Sequence, residues 1–412
     1  MTYHDHHLHP FGYATLVNGL ELMSQPDMSS LLETIRDAAE ASEGPVIGQR
    51  LNDEGLRELR LPTAADLDDV VSERPVLLYR YCGHIAVANS AALALAGVDT
   101  DTTDPPGGAF DRDTTGRPNG ILRETAVQMV SSTLAPHTPA PSDPELIAAL
   151  ATLPDMGITS ITGIISAGEA IWCGVGSEID TLVRIAPDLP LDIDVLVITR
   201  SPAELASAKD KIDRAEGPIR WLGYKDFTDG SFGGHTAAMH EPFSDRPDTR
   251  GIERFDHAHV VEMGEASLQM GGAVAIHAIG DRANDKVLDV HEELIDHGAN
   301  PAMLRVEHAS ILTPEAIERM ARLGVTASVQ PAFLASEEAW LEKRLGPDRI
   351  HRAYPFRTLL DAGVPLLGGS DSPVELPAPE TGINAAVVRH GIAPDEALTR
   401  EQAESLFAPP AA

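Results

Sequence analysis

The sequence predicts an α/β protein, a (β/α)8 barrel of the TIM type with a subdomain inserted between its first two strands. Eight short runs rich in apolar and β-branched residues recur along the chain, and amphipathic stretches of helical periodicity separate most of them. Strands that alternate with helices are typical of a parallel sheet. The chain has 412 residues, whereas an unadorned barrel of this type needs about 250, so there is room for an insertion.

The eight predicted strands end, in chain order, at Asp5, Thr162, Thr199, Lys225, His277, His308, Gln330 and Asp371. The first of them, MTYHD, is a poor strand by composition because it has no apolar lead-in. Helices are predicted between later strands, at residues 202–215, 283–297 and 314–323. Ser201 and Thr313 stand directly before two of these helices, where their hydroxyl groups would cap the first turn.

Residues 45–150 interrupt this alternation. We predict that they form a subdomain near the barrel mouth, between the start of the barrel at 1–44 and the remainder at 151–412. The segment contains two further strand candidates, PVIGQRL and RPVLLYRY, and one helix candidate, NSAALALAG. A stretch rich in Gly, Pro and Asp at residues 99–120 predicts a long loop, because these residue types favour turns.

The chain is strongly acidic, with 31 Lys and Arg against 63 Asp and Glu and a formal charge of −32. This field repels phosphate backbones and anionic headgroups, so we expect no nucleic-acid partner and no membrane partner. The two cysteines, Cys82 and Cys173, are too few for a disulfide framework. Because no signal-peptide pattern opens the chain and no apolar run approaches the roughly 18 residues of a membrane span, we expect a cytoplasmic protein.

Metal-ligating residue types occur at or near the ends of five predicted strands: His7, His9, Lys225, His277, His308 and Asp371. Each has an ordinary structural explanation when taken alone, such as a solvated histidine cluster, a core histidine, a rim lysine or a helix cap. All strand ends of a parallel barrel open on one face, however, and side chains two residues apart on an extended segment point the same way. The coincidence predicts a site for one or two divalent ions, with Zn²⁺ favoured and Fe, Mn or Co possible.

The same order of residues resembles the amidohydrolase superfamily: His-x-His on the first strand, Lys on the fourth, His on the fifth and sixth, and Asp on the eighth. Longer stretches resemble the branch that contains N-substituted formamide deformylase, namely GHIAVANSAAL, PPGGAFDRDTTGRPNGILRE, KDFTDGSFGGHTAAMHEPFSD, HAIGDRAND, VEHASIL and GGSDSPVELPAP. The resemblance covers nearly the whole chain. Members usually carry a β-sandwich built from segments before and after the barrel, and we expect this chain to lack it.

The resemblance implies a metal-dependent hydrolase in which all six residues belong to the metal centre and Lys225 is carboxylated, so that it bridges two ions. We expect cleavage of an amide or formamide C–N bond in a small substrate by metal-activated water, with Asp371 as general base and then general acid. His84, Asp229 and Asp281 lie in the shared stretches and are candidate substrate contacts. Glu307 is expected to be structural, because it faces away from His308 on a strand.

Two alternatives remain open. The first is a deaminase or another hydrolase of the same superfamily, although the residues after His277, AIGDRAND, contain no Glu to serve as its acid–base group. The second is a barrel that holds a metal without turnover. A homodimer is also possible, because the inserted subdomain carries strands of its own.

Overall fold

The structure is a computed structural model and describes residues 2–41, 43–138, 141–168 and 178–410. The described chain divides into two compact units. One comprises residues 2–13, 143–168 and 178–410, and the other comprises residues 14–142. The second unit therefore lies, in sequence, between the first and second barrel strands, and it begins earlier than the predicted insertion at residue 45. Cys173 falls outside the described residues.

The strands are β1 Tyr3–Leu8, β2 Leu20–Glu21, β3 Val46–Leu51, β4 Val76–Arg80, β5 Ile85–Ala88, β6 Gly108–Arg112, β7 Pro118–Glu124, β8 Ile158–Ser166, β9 Asp192–Ile198, β10 Ile219–Phe227, β11 Ala273–Ala278, β12 Leu304–His308, β13 Thr326–Val329 and β14 Leu366–Gly368.

The helices are α1 Pro10–Asn18, α2 Met28–Ala41, α3 Ala64–Asp68, α4 Ser90–Leu95, α5 Thr125–Leu134, α6 Asp143–Leu150, α7 Glu178–Ile185, α8 Pro202–Arg214, α9 His257–Gln269, α10 Asp281–Asp296, α11 Pro314–Leu323, α12 Phe333–Glu337, α13 Leu341–Leu345, α14 Phe356–Asp361, α15 Pro379–Val388 and α16 Arg400–Ser405. Within the described ranges, no helix combines the length and the apolar character needed to cross a membrane.

The first unit is the predicted (β/α)8 barrel. Its eight strands run parallel in the order β1-β8-β9-β10-β11-β12-β13-β14, and each coincides with one of the eight predicted strands. The predicted helices also form, as α8, α10 and α11. Ser201 and Thr313 cap α8 and α11, since each side chain accepts a hydrogen bond from a backbone N–H in the first helical turn.

The barrel closes between its last and first strands through two sets of backbone hydrogen bonds. Beyond the end of β14, the Asp371 N–H donates to the His7 carbonyl over 2.7 Å, and the His9 N–H donates to the Ser372 carbonyl over 2.9 Å. At the other end of β1, the Leu406 carbonyl accepts a hydrogen bond from the Gly368 N–H at the end of β14, and the Phe407 carbonyl accepts one from the His4 N–H on β1. The closure therefore places the His-x-His segment beside Asp371.

Strand β1 forms despite its polar composition because its buried side chains have partners. The two ring nitrogens of His4 lie 2.8 Å from the Ser160 hydroxyl and 3.0 Å from the Thr162 hydroxyl. The Asp5 carboxylate accepts hydrogen bonds from the backbone N–H groups of His7 and Ser370, over 3.1 and 3.0 Å. Buried polar groups that are satisfied in this way cost little, so a strand of histidines can replace an apolar one.

The second unit is built on a mixed sheet in the order β2-β3-β4-β5-β7-β6. Neighbouring residues of β4 point to opposite faces, so Leu77 packs into one apolar cluster and Leu78 into another. The predicted strands and helix of this segment appear as β3, β4 and α4. The described residues form no β-sandwich from segments that flank the barrel.

The prediction of a long loop over residues 99–120 is wrong in its second half. This stretch contains β6 and the start of β7, which pair in an antiparallel hairpin. Phe110 is buried in the apolar cluster beneath the hairpin, and an ion pair of 2.7 Å joins Arg123 to Asp111 across it. Pairing with a neighbouring strand and burial of one aromatic ring outweigh the local preference of Gly, Pro and Asp for turns.

His291 is a buried side chain that lowers the folding stability of the barrel unit. It is buried on α10, and neither ring nitrogen has a hydrogen-bond partner among the described residues. Burial, aided by the positive charge of Arg319, lowers the pKa of His291 to about 3 from an ordinary 6.5. Between these values the unfolded chain binds a proton that the folded chain does not, so folding stability falls as the pH drops through this window.

We therefore expect His291→Leu to raise the free energy of unfolding near pH 7 by about 1–3 kcal/mol, because it removes a buried polar group that lacks partners. The gain should grow at about pH 5, where only the wild-type chain must release a proton to fold. Urea denaturation of both proteins at the two pH values measures this. A variant that is no more stable at either pH would show that His291 has a stabilising role.

Candidate metal centre

The barrel brings the predicted ligands to one end of its strands. His7, His277 and His308 lie in the last two residues of β1, β11 and β12. His9 follows β1 directly, Lys225 lies two residues before the end of β10, and Asp371 lies three residues beyond β14. All six side chains are buried. They form the inner surface of the carboxyl-terminal rim, where barrel enzymes carry out their chemistry.

His7, His9 and Asp371 form the tightest group. Asp371 Oδ1 lies 3.2 Å from Nε2 of His7 and 3.2 Å from Nε2 of His9. One potential ligand atom from each of the three residues lies within 4.8 Å of the others. Asp371 has a backbone φ of 57°, a left-handed conformation that is uncommon outside glycine. The hydrogen bond from its N–H to the His7 carbonyl holds this conformation. The same hydrogen bond that closes the barrel therefore positions the carboxylate.

The charge at this group favours an ionised carboxylate. Burial opposes ionisation of Asp371, but the neighbouring His7, His9 and His308 outweigh it and hold the pKa of Asp371 well below its usual value. Burial alone would lower the pKa of His7, yet the carboxylates of Asp371 and Glu307 raise it. Negative charge is thus concentrated around His7, which is the electrostatic environment that a cation requires.

His277 and His308 extend the group along the rim. Their ring centroids lie 4.4 Å apart, and the ring of His308 lies 4.9 Å from that of His7. Nε2 of His277 donates to the Gly230 carbonyl over 3.1 Å, and Nδ1 of His308 donates to Gln330 Oε1 over 2.7 Å. Burial, followed by the charge of His277, holds the pKa of His308 well below its usual value. His308 is therefore a neutral imidazole, which is the form that binds metals.

Lys225 is fully buried among these residues. Its Nζ donates to the Asp226 carbonyl over 3.3 Å and lies 3.7 Å from the centre of the Phe227 ring. Burial lowers the pKa of Lys225 to about 8, although the carboxylates of Glu307 and Asp371 act in the opposite direction. A substantial fraction of this amine is therefore uncharged in mildly alkaline solution, unlike that of an exposed lysine.

The donor set fits a divalent ion. Four imidazoles and a carboxylate are the nitrogen and oxygen ligands that Zn²⁺ and neighbouring transition metals prefer. The Asp371 Oδ1 atom, buried between two imidazole nitrogens, has no well-aligned hydrogen-bond donor in the described chain. A cation would satisfy that oxygen and both nitrogens together. The groups that surround the site have the chemistry of a metal centre.

Comparison with known proteins identifies the family to which this site belongs. The family model described as "Amidohydrolase family" matches residues 4–412. The chain belongs to the amidohydrolase family. The predicted resemblance is confirmed, and so is the (β/α)8 barrel.

Two curated relatives and one solved structure show how far the similarity of this amidohydrolase extends. It is 32% identical over 390 residues to the putative amidohydrolase YtcJ of Bacillus subtilis, covering 93% of this chain and 72% of the relative. It is 28% identical over 366 residues to N-substituted formamide deformylase of Arthrobacter pascens, covering 85% and 66%. An uncharacterized metal-dependent hydrolase from Pyrococcus horikoshii superposes with a TM-score of 0.73 at 27% identity, covering 98% and 78%. The chain is a metal-dependent hydrolase of this family.

The three residues predicted to contact substrate each form hydrogen bonds with other residues of the amidohydrolase. Asp229 accepts hydrogen bonds from three backbone N–H groups, those of Ala238, Ile279 and Gly280, and its Oδ1 lies 3.2 Å from Nε2 of His277. It therefore joins the loops after β10 and β11 and orients a predicted ligand. Contact of Asp229 with substrate stays a prediction.

Asp281 and His84 have different surroundings. The Asp281 carboxylate, at the start of α10, accepts hydrogen bonds from the backbone N–H groups of His240 and Arg282. His84 belongs to the second unit, where its Nδ1 donates to Glu124 over 2.9 Å, and both side chains are buried. Their roles in binding substrate also stay predictions.

Two residues contact predicted ligands of the amidohydrolase, although the sequence analysis did not indicate either contact. Gln330 orients His308, and Glu307 accepts a hydrogen bond from His7 Nδ1 over 2.5 Å. The strict alternation of a strand would direct Glu307 and His308 to opposite faces. However, His308 has a φ of 73°, which turns the last residue of β12, so that both side chains reach the metal centre. No local sequence pattern indicates that turn.

Proposed function

We propose that this amidohydrolase hydrolyses the C–N bond of a small amide or formamide, and that Asp371 is its acid–base residue. The observation that carries the proposal is the ionised Asp371 carboxylate, 3.2 Å from the ring nitrogens of both His7 and His9. Similarity to a formamide deformylase supports the substrate class. The charge of −32 favours uncharged or cationic substrates over anionic ones.

The residues that would hold the metal are His7, His9, His277, His308 and Asp371, with Lys225 shared between two ions if two are present. We propose Zn²⁺ because its ligand preferences match this set. When bound, a divalent ion lowers the pKa of water toward about 7 and polarises a carbonyl oxygen.

Asp371 then moves one proton. Its carboxylate accepts the proton of the water whose oxygen forms the new bond to the carbonyl carbon, and it returns this proton to the nitrogen as the C–N bond breaks. The products are a carboxylic acid and an amine. The transfer matters because an amide nitrogen without a proton is a poor leaving group.

Lys225 supports a metal only after a change of charge, because its ammonium group would repel a cation. The uncharged amine can attack carbon dioxide, forming an N–C bond and releasing a proton, and the product is an anionic carbamate. The lowered pKa and the burial of Lys225 favour this reaction over reaction at exposed lysines, which remain protonated.

We expect one carbamate at Lys225 when the protein is loaded with metal in the presence of ¹³C-labelled bicarbonate. Carbon-13 NMR should show a single carbamate signal that disappears in Lys225→Met. The matched control is Lys286→Met, which removes a half-buried lysine paired with Glu253 and should retain the signal. A metal-loaded wild-type protein without a carbamate signal would mean that Lys225 does not bridge ions.

The substrate class is tested by assaying metal-loaded protein against N-formyl and N-acyl amines, with ammonia release measured in parallel on amino-substituted rings. Hydrolysis of the amides supports the proposal. Ammonia release without amide cleavage would indicate a deaminase, although the one carboxylate between residues 278 and 284, Asp281, is held by backbone N–H groups. Bound metal with no turnover would indicate a non-catalytic barrel.

A homodimer remains a prediction, which sedimentation equilibrium would test.

A further inference from the structure

We propose that Glu307 is a positioning residue that holds His7 in the tautomer needed for the metal centre, and that Arg305 in turn holds Glu307. The inference rests on the proposed metal-dependent function, since it concerns how that centre is supported. It assigns a role to two buried charges that the acid–base chemistry of Asp371 does not use.

The contacts form a continuous chain inside the barrel. His7 Nδ1 donates to Glu307 Oε2 over 2.5 Å, and the second carboxylate oxygen, Oε1, lies 2.9 Å from Arg305 Nε. A terminal nitrogen of Arg305 donates to the His6 carbonyl over 2.9 Å. Glu307 is fully buried, and Arg305 is 6% exposed. The chain of contacts therefore begins and ends on β1 and passes through β12, which is not a sheet neighbour of β1.

This arrangement determines which nitrogen of His7 carries hydrogen. A neutral imidazole has one N–H group, and the ionised carboxylate of Glu307 can only accept a hydrogen bond. Asp371 is also only an acceptor, but its Oδ1 lies 3.2 Å from Nε2, whereas Glu307 Oε2 lies 2.5 Å from Nδ1. The shorter contact therefore keeps the proton of the neutral ring on Nδ1 and leaves the lone pair of Nε2 for a cation. A carboxylate behind a metal-binding imidazole also increases the basicity of the ring.

Arg305 explains how a second carboxylate can be buried so close to Asp371. Its positive charge cancels that of Glu307, so that the pair is neutral overall while its oxygen remains a strong acceptor. The contact of Arg305 with the His6 carbonyl connects the pair to the residue that precedes His7. Arg305 therefore fixes the ion pair to the backbone of β1 next to His7.

The test compares Glu307→Gln with the wild-type protein after removal of metal by a chelator. The readouts are the affinity for Zn²⁺ in a competition titration and the His7 tautomer from ¹⁵N-imidazole NMR of the metal-free protein in alkaline solution, where the ring is neutral. We expect wild-type His7 to be the Nδ1–H tautomer. In the variant we expect a mixture of tautomers and a zinc affinity lower by about 10–100-fold, the usual effect of losing such a partner.

The matched control is Glu293→Gln. Glu293 forms the same kind of contact, 2.6 Å from Nε2 of His257, on the exposed surface, so its removal should change neither readout. If Glu307→Gln does not fold because Arg305 loses its partner, the double variant Arg305→Gln/Glu307→Gln removes the unpaired charge and is measured in its place. The tautomer of wild-type His7 needs no variant at all.

The outcomes separate this inference from the function on which it rests. An unchanged tautomer together with a zinc affinity within twofold of wild type would overturn the role of Glu307 while leaving the metal centre intact. A wild-type protein with His7 protonated on Nε2 would overturn it directly. A wild-type protein that binds no zinc, but whose His7 is held as the Nδ1–H tautomer by Glu307, would overturn the proposed metal centre and leave the positioning role standing.

Discussion

Replacing Asp371 with Asn is expected to lower turnover by about 10²–10⁴-fold, the usual contribution of a general acid–base group, while the metal stays bound. Asn has the same shape and keeps an oxygen that can lie near His7 and His9, so the four histidines still offer their nitrogens. It has no negative charge and accepts no proton at neutral pH. The measurement is kcat on the best amide substrate, together with metal content by elemental analysis of the same sample.

The control for this substitution is Asp285→Asn. Asp285 also forms a pair with a histidine, at 2.7 Å from Nε2 of His240, but on the exposed surface of α10, so activity and metal content should not change. An Asp371→Asn protein that keeps its metal and more than a tenth of the wild-type activity would show that another group moves the proton. Loss of metal in the variant would make Asp371 primarily a ligand.

The convergence of the candidate ligands could be predicted from sequence because the carboxyl ends of parallel barrel strands meet at one rim. Once His277, His308 and Asp371 are placed at strand ends, the barrel brings them to the same rim whatever the lengths of the connecting segments. The same holds for His7 and His9, whose spacing of two residues on an extended chain is enough to direct both rings to one side. The residue types and the alternation of strands and helices, both visible in the sequence, are therefore enough to predict which side chains meet at the rim.

The contacts that hold the candidate ligands in place could not be predicted, because each depends on a local departure from regular strand geometry. Glu307 reaches His7 from β12, which is not a neighbour of β1 in the sheet, and His308 joins it on the same side only through a positive φ. The position of Asp371 depends on its own left-handed backbone conformation and on one backbone hydrogen bond to His7 of β1. The β6–β7 hairpin was missed for a similar reason, since pairing rather than composition makes Phe110 part of a strand. Such features arise from tertiary contacts, which a single sequence does not display.

The largest loss of function is expected from the double variant His7→Ala/His9→Ala. It removes two of the four imidazoles, the two whose Nε2 atoms each lie 3.2 Å from Asp371 Oδ1. We expect metal content to fall to background and amide hydrolysis to become undetectable. Because a ligand that binds the folded state stabilises it by about 2.7 kcal/mol when its free concentration is about 100 times Kd, the melting temperature should also fall and should no longer respond to a chelator.

Chelator sensitivity distinguishes loss of metal from damage to β1. The wild-type protein should melt at a lower temperature after chelation and regain its stability with added zinc, whereas the double variant should be insensitive to both treatments. His240→Ala, which removes an exposed histidine that is 48% exposed at the side chain, serves as the control and should behave like the wild type. A double variant that still binds zinc with wild-type affinity would contradict the metal centre, because the histidines nearest to Asp371 would then contribute nothing to it.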